Sequence, residues 1–258
     1  MKKKIKDYII VEDIEKIINE KKIIAQIKSI LIKKKYCIIK NVIEKEWIKA
    51  FKEYLANIGK NSFPNYKSIS PLAPNSHRIN INDERSYVKG TFHQFVFYPW
   101  NQDLFSLFKK VENIFFLKNL INGIRKDKFL KNDVEDNCTA RISVQFYPSG
   151  QGFLNTHVDP IGDHQLTVPM VMMSSKGIDY FSGGGKIINQ SNKKIDIDSL
   201  CEAGDMILSN ASSPHCVDII DKNLPKPWLE FRGRWVMLFA VNKIDGNNKI
   251  KNSKELLA

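Results

Sequence analysis

The sequence predicts an α+β, mainly β protein: a sandwich, barrel or jelly roll of short strands behind a helical N-terminal lobe. Three observations predict it. Apolar residues recur at helical spacing between charges in the first sixty positions. From Cys138 onward the texture changes to short apolar or alternating runs. Seven or eight of these runs are separated by Gly, Pro, Asn and Asp turn signals.

The first helix is expected from Ile14, Ile17, Ile18, Ile24, Ile27 and Leu31, which share one face. YCIIK at 36–40 reads as a short strand, and a second helix starts near Glu44 with Trp47, Phe51, Tyr54 and Leu55 on one side. Residues 57–90 carry Pro64, Pro71 and Pro74 with several Asn and Ser, and read as a long loop. TFHQFVFYPW (91–100) is strand-like, a third helix is expected from about Asp103 to Ile124, and 126–137 is a polar connector. Strands are expected near 139–147, 152–158, 165–173, 185–190, 195–198, 205–209, 215–220 and 232–242. With no internal repeat and no low-complexity linker, the reading is one domain, 1–258. It comprises a lobe (1–137), a β core (138–243) and a polar tail (244–258).

Composition narrows the class. Of 258 residues, 43% are hydrophobic and 26% charged, which excludes a mostly disordered, collagen-like or disulfide-stapled chain. No apolar run approaches the ~18 residues that span a membrane. Asp7, Glu12 and Asp13 leave no apolar stretch for a signal peptide, so a cytoplasmic location is expected. Cys37, Cys138, Cys201 and Cys216 have no CxxC spacing and read as free thiols.

The net charge of +12 invites a nucleic-acid reading. Its distribution argues against one: +8 lies in residues 1–60, +3 in 61–137, zero in 138–243 and +1 beyond. The excess is mostly Lys on the first helices, interleaved with Ile, which is a solvated helix face. Gly183, Gly184 and Gly185 are followed by neither Lys-Ser/Thr nor a helix, so they read as a turn rather than a phosphate loop.

The chemistry concentrates in two segments. THVDP (156–160) places His157 and Asp159 two apart, on one side of a strand, with Pro160 and Gly162 marking a turn. SSPHCVDI (212–219) supplies His215. Two imidazoles and one carboxylate on one face form a facial triad suited to non-haem Fe(II). Arg141, Ser143, Gln145 and Tyr147 alternate with Ile142, Val144 and Phe146, so one face of that strand is polar. Gln145 and Tyr147 are expected to point inward.

In order along the chain, four stretches carry a resemblance. They are ARISVQFYPSGQGFLNTHVD (140–159), HQLTVPMVMMSS with YFSGGGKI (164–187), AGDMILSNASSPHCV (203–217) and FRGRWVMLFAVNK (231–243). The chain resembles the 2-oxoglutarate/Fe(II)-dependent dioxygenase superfamily over residues 138–243. The resemblance implies a double-stranded β-helix (jelly-roll, cupin-like) core with the helical lobe packed on its outer sheet. It implies Fe(II) held by His157, Asp159 and His215, with 2-oxoglutarate and O2 as co-substrates. Arg234 is implied as the cation for the far carboxylate of 2-oxoglutarate, because its planar fork binds carboxylates bidentately. Arg232 is its rival. Thr167 resembles a hydroxyl residue that helps hold 2-oxoglutarate, and Gln145 and Tyr147 would line the same site.

The reaction so implied is hydroxylation of a C–H bond with succinate and CO2 as co-products. Asp159 speaks against halogenation, while desaturation and ring closure share the same ligands. The substrate is expected to be a small polar metabolite such as an amino acid or related acid, with a protein side chain as the next option. Arg78, Arg85 and Arg232 are candidates to pair with its acid group. Two other classes stay open: a cupin-like or zinc barrel that does not use 2-oxoglutarate, and a non-catalytic module that binds nucleic acid.

Overall fold

A computed structural model describes residues 8–11, 13–66, 69–103, 105–159, 162, 164–226, 228–244 and 253–256. Leu104, Pro160 and most of the 244–258 tail lie outside these residues.

The N-terminal part contains β1 (Tyr8–Val11), α1 (Ile14–Asn19), α2 (Lys21–Ile32), β2 (Tyr36–Ile39) and α3 (Lys45–Asn61). β3 (Ser76–Ile81), β4 (Gly90–Phe97), α4 (Leu107–Lys110) and α5 (Glu112–Asn122) follow. The core strands are β5 (Cys138–Pro148), β6 (Phe153–Val158), β7 (Met170–Met172), β8 (Gly184–Ile188) and β9 (Lys194–Asp196). They continue with β10 (Met206–Ser209), β11 (His215–Asp218), β12 (Gly233–Lys243) and, near the end of the chain, β13 (Lys254–Glu255).

The strands join one curled sheet in the order β1-β2-β10-β7-β12-β5-β4-β6-β11-β8-β9, with β3 on β4 and β13 on β6. Side-chain alternation along β12 divides its two faces. Trp235, Met237, Phe239 and Val241 point outward and pack with Phe51 and Leu55 of α3 and Phe115 of α5. Val236 points inward, where it packs in one buried cluster with Tyr147, Met172, Ile187 and Val217. Burial of each such apolar side chain contributes roughly 1.5–3 kcal/mol. The helices thus cover the outer sheet, and every core strand but the one expected at 165–173 lies close to its expected position.

The structure corrects several element boundaries. The first helix breaks at Glu20, whose extended backbone (φ −112°, ψ 96°) ends α1 and begins α2. The third helix breaks at Val111 (φ −108°, ψ 9°) into α4 and α5. The 57–90 segment is not all loop: α3 runs to Asn61, and β3 pairs with β4 from Ser76↔Val96 to Ile81↔Thr91. SHRINI alternates, but its Ser, His, Arg and Asn are weak strand formers, so composition masked the period. The strand expected at 165–173 contracts to Met170–Met172. Pro169 has no N–H to donate, although its carbonyl still accepts from Phe239. The first 137 residues are also less helical than expected, because they give four strands to the sheet. All four cysteines are buried free thiols.

Candidate metal centre

β6 and β11 are antiparallel neighbours, and their register sets His157 directly opposite His215. Asp159 follows just beyond β6, where its N–H donates to the Ala211 carbonyl (2.9 Å). The two imidazole centroids are 4.1 Å apart. His157 Nδ1 lies 2.9 Å from the Asn155 carbonyl, and His215 Nδ1 lies 3.0 Å from the Ser213 carbonyl. A carbonyl only accepts, so each Nδ1 carries the proton and each Nε2 keeps its lone pair.

Both Nε2 atoms turn towards one carboxylate. His157 Nε2 is 3.8 Å from Asp159 Oδ1, and His215 Nε2 is 3.6 Å from Oδ2. One ligand atom from each residue lies within 4.8 Å of the others. Two atoms each ~2.1 Å from a shared ion lie about 3.0 Å apart at a right angle and up to about 4.2 Å apart in line. The two His–Asp separations, 3.8 and 3.6 Å, fall inside that span, and the chemistry of the donor set suits one first-row divalent ion. Burial and the neighbouring His215 push the His157 pKa down to about 4, against the pull of Asp159. That keeps the ring neutral, as a metal ligand must be.

A cavity of about 310 Å3 opens beside the triad and is lined by His157, Asp159 and the inward faces of β3, β4, β5 and β12. Register rows run across this wall. Arg78 pairs with Gln94, Gln94 with Gln145, and Gln145 with Val236. The amide of Gln94 donates to the Ser143 hydroxyl (2.7 Å). Phe92, Leu154 and Leu238 give the cavity its apolar walls.

The other residues singled out from the sequence are placed as follows. Gln145 lines the cavity, and Tyr147 sits behind it, its hydroxyl donating to Gln145 Oε1 (2.6 Å). Thr167 is buried away from the cavity lining, and its hydroxyl has no hydrogen-bond partner among the described residues. Arg232 is exposed. Arg234 is buried on the inward face, opposite Tyr147 on β5, and is not part of the cavity lining.

Sequence reasoning missed the partner of Arg234. Asp198 accepts from Arg234 Nε (2.7 Å) and Nη2 (3.0 Å), from the Tyr180 hydroxyl (2.5 Å) and from the Gly185 N–H (2.6 Å). Burial alone would lower the Arg234 pKa, but the Asp198 charge and hydrogen bonds outweigh it and raise it. The Gly-Gly segment exists to admit this pair. A Cβ at Gly184 would fall 2.4 Å from Asp198 Oδ2, and one at Gly185 would fall 2.7 Å from Arg234 Nη2. The sequence signal was available as an acidic residue in the turn before β10, but nothing local tied it to Arg234.

The curled sheet is a double-stranded β-helix fold, and His157, Asp159 and His215 set a triad of ligand-competent side chains on it. No family model and no curated protein matches the chain. Solved structures do. The chain is similar to a Pseudomonas putida prolyl-4-hydroxylase at 12% identity, covering 86% of this chain and 100% of that one, with a TM-score of 0.55. It is similar to a full-length Neurospora crassa protein solved in complex with alpha-KG and thymine at 11% identity, covering 92% and 86%, with a TM-score of 0.58. It is also similar to JOX2 in complex with 2OG, Fe and JA at 14% identity, covering 92% and 75%, with a TM-score of 0.53. At these identities the likeness establishes the fold. Among the described residues, no helix is long and apolar enough to cross a membrane.

Proposed function

We propose that the protein is a non-haem Fe(II)/2-oxoglutarate-dependent dioxygenase. It hydroxylates a C–H bond of a small polar metabolite such as an amino acid or related acid. The observation that carries this reading is the convergence of His157 Nε2, His215 Nε2 and the Asp159 carboxylate on one point beside a cavity. Fe(II) bound there, with 2-oxoglutarate and O2, supplies oxidation of an unactivated C–H bond, with succinate and CO2 released.

The chain's own work is positioning. The Asn155 and Ser213 carbonyls hold both rings in the ligating tautomer. Gln145 and Tyr147 line and back the co-substrate end of the cavity, and Thr167 supports the strand beside it. Arg234 takes the far carboxylate of 2-oxoglutarate on the Nη1 side of its fork, because Asp198 holds the Nε–Nη2 edge. Phe92, Leu154 and Leu238 exclude water from the substrate's reacting carbon.

The test is an anaerobic titration of Fe(II) and 2-oxoglutarate, followed by visible absorption. A charge-transfer band that needs both additives and is lost in His157→Ala supports the reading. One observation favours a second reading, a metal-binding barrel that does not use 2-oxoglutarate: Asp198 already occupies half of the Arg234 fork. Metal binding without any band, and without succinate formation in air, would select that reading.

A further inference from the structure

The cavity holds two guanidinium groups that the metal chemistry does not use. Arg78, on β3, and Arg141, on β5, both line it. The Nε atoms of both are buried without a hydrogen-bond partner among the described residues. Arg78 lies over the Tyr66 and Phe92 rings, at 5.2 and 5.9 Å, with the Tyr66 hydroxyl as a side-chain partner. Burial lowers the pKa of each, and for Arg78 the like charge of Arg141 lowers it further. Two like charges confined in one cavity, each with an unmet donor, are a costly arrangement unless an anion completes it.

Arg141 stands apart from Arg234 along the sheet, whereas Arg78 lies in the register row of Val236, two residues from Arg234. Along β12, Arg234 stands opposite Tyr147 and Ala240 stands opposite Arg141. Six residues of strand separate the two positions, about 20 Å at ~3.3 Å per residue. Both Tyr147 and Arg141 feel the charge of Asp159, so the triad's carboxylate lies within electrostatic reach of both ends.

We propose that Arg78 and Arg141 form an oxyanion clamp that fixes the acid group of the substrate, a carboxylate or phosphate, inside the cavity that both line. The clamp rests on the oxygenase reading for its meaning in catalysis, but its anion chemistry stands on the cavity alone. It makes the substrate an anionic small molecule whose reacting carbon is presented to the triad from its acid end. Arg85 is not part of it. It does not line the cavity, and Asp83 holds the Nε–Nη2 edge of its fork at 3.0 and 2.7 Å.

Benzoate, phenyl phosphate and benzamide form a matched probe set that the apolar walls can accept. Their affinities for the full-length metal-free protein would be measured by calorimetry at constant ionic strength, with and without saturating 2-oxoglutarate. Wild type, Arg78→Gln and Arg141→Gln would be compared, and circular dichroism would check that each variant is folded. Two variants on separate strands keep the test alive if one fails to fold. The clamp predicts that one or both anions bind, that benzamide does not, and that each substitution weakens anion binding about tenfold or more. Benzoate against phenyl phosphate then separates carboxylate from phosphate. Equal binding of benzamide, or anion binding unchanged in both variants, would overturn the proposal, as would no anion binding by wild type. So would loss of 2-oxoglutarate affinity in the arginine variants with 2-oxoglutarate displacing benzoate, since the pair would then serve the co-substrate. That outcome leaves the oxygenase reading intact. Failure of the Fe(II)/2-oxoglutarate band with the clamp still binding benzoate removes the oxygenase reading and leaves the clamp.

Discussion

Asp198→Asn strips the charge from a carboxylate that faces four donors. Its Oδ2 accepts from Arg234 Nε, the Tyr180 hydroxyl and the Gly185 N–H, while Oδ1 accepts from Arg234 Nη2. An asparagine offers one acceptor oxygen. With its NH2 at the Oδ2 position, three donors lose their partner; with the amide flipped, the NH2 faces Nη2. Either way Arg234 is left as a buried guanidinium without a counter-charge, with the two side chains of the pair only 3% and 0% exposed. Removing one partner of a buried ion pair costs about 3–5 kcal/mol, because the remaining charge stays desolvated. Urea unfolding at neutral pH, with the fluorescence of buried Trp235 as the probe, measures the loss directly. The double variant Asp198→Asn/Arg234→Gln should lose clearly less than the two single losses added together, since it buries no orphan charge. A single-variant loss below about 1 kcal/mol would refute the claim that this pair is desolvated and coupled.

Three further outcomes follow from the same structure. Burial pushes the pKa of His77 down to about 4 and that of His93 to about 3, and His77 Nε2 lies 3.0 Å from His93 Nδ1. The unfolded chain thus binds more protons below the ordinary value, so stability is full above ~6.5 and falls as pH drops through it towards the folded values. The loss at about pH 5 is about 2 kcal/mol per ring, and His93→Phe should remove about half of it in denaturant titrations at the two pH values; an unchanged slope would contradict the buried neutral pair. Gly185→Ala should cost about 1–3 kcal/mol by driving a methyl against Arg234 and Asp198, read as a lower melting temperature, and a neutral result would mean the pair can shift to make room. Glu255→Ala frees the Lys89 N–H and the Asn155 amide, which it accepts at 2.6 and 2.9 Å. It should speed proteolysis at β13 while leaving the melting temperature within about 2–4 °C of wild type.

Strand positions in the core were legible because alternation and turn residues are local signals. β5, β6, β11 and β12 lie within a residue or two of expectation at most ends, and they carry the triad and the inward polar face. β3 was not legible, since its polar residues hid its period and only pairing with β4 makes it a strand. The breaks at Glu20 and Val111 were equally hidden, because both lie inside continuous apolar periodicity.

The sequence by itself determined which side chains share a face: His157 with Asp159, and Arg141 with Ser143, Gln145 and Tyr147. That follows from the strand period, which is fixed by backbone geometry and needs no partner. Only the tertiary structure decided which charges are spent. Asp198 meets Arg234 through a turn 36 residues earlier in the chain, and Arg78 and Arg141 come to line one cavity from separate strands. Ion pairing acts through space at a few ångströms, so no local pattern encodes whether a basic residue finds a carboxylate or stays available for a ligand.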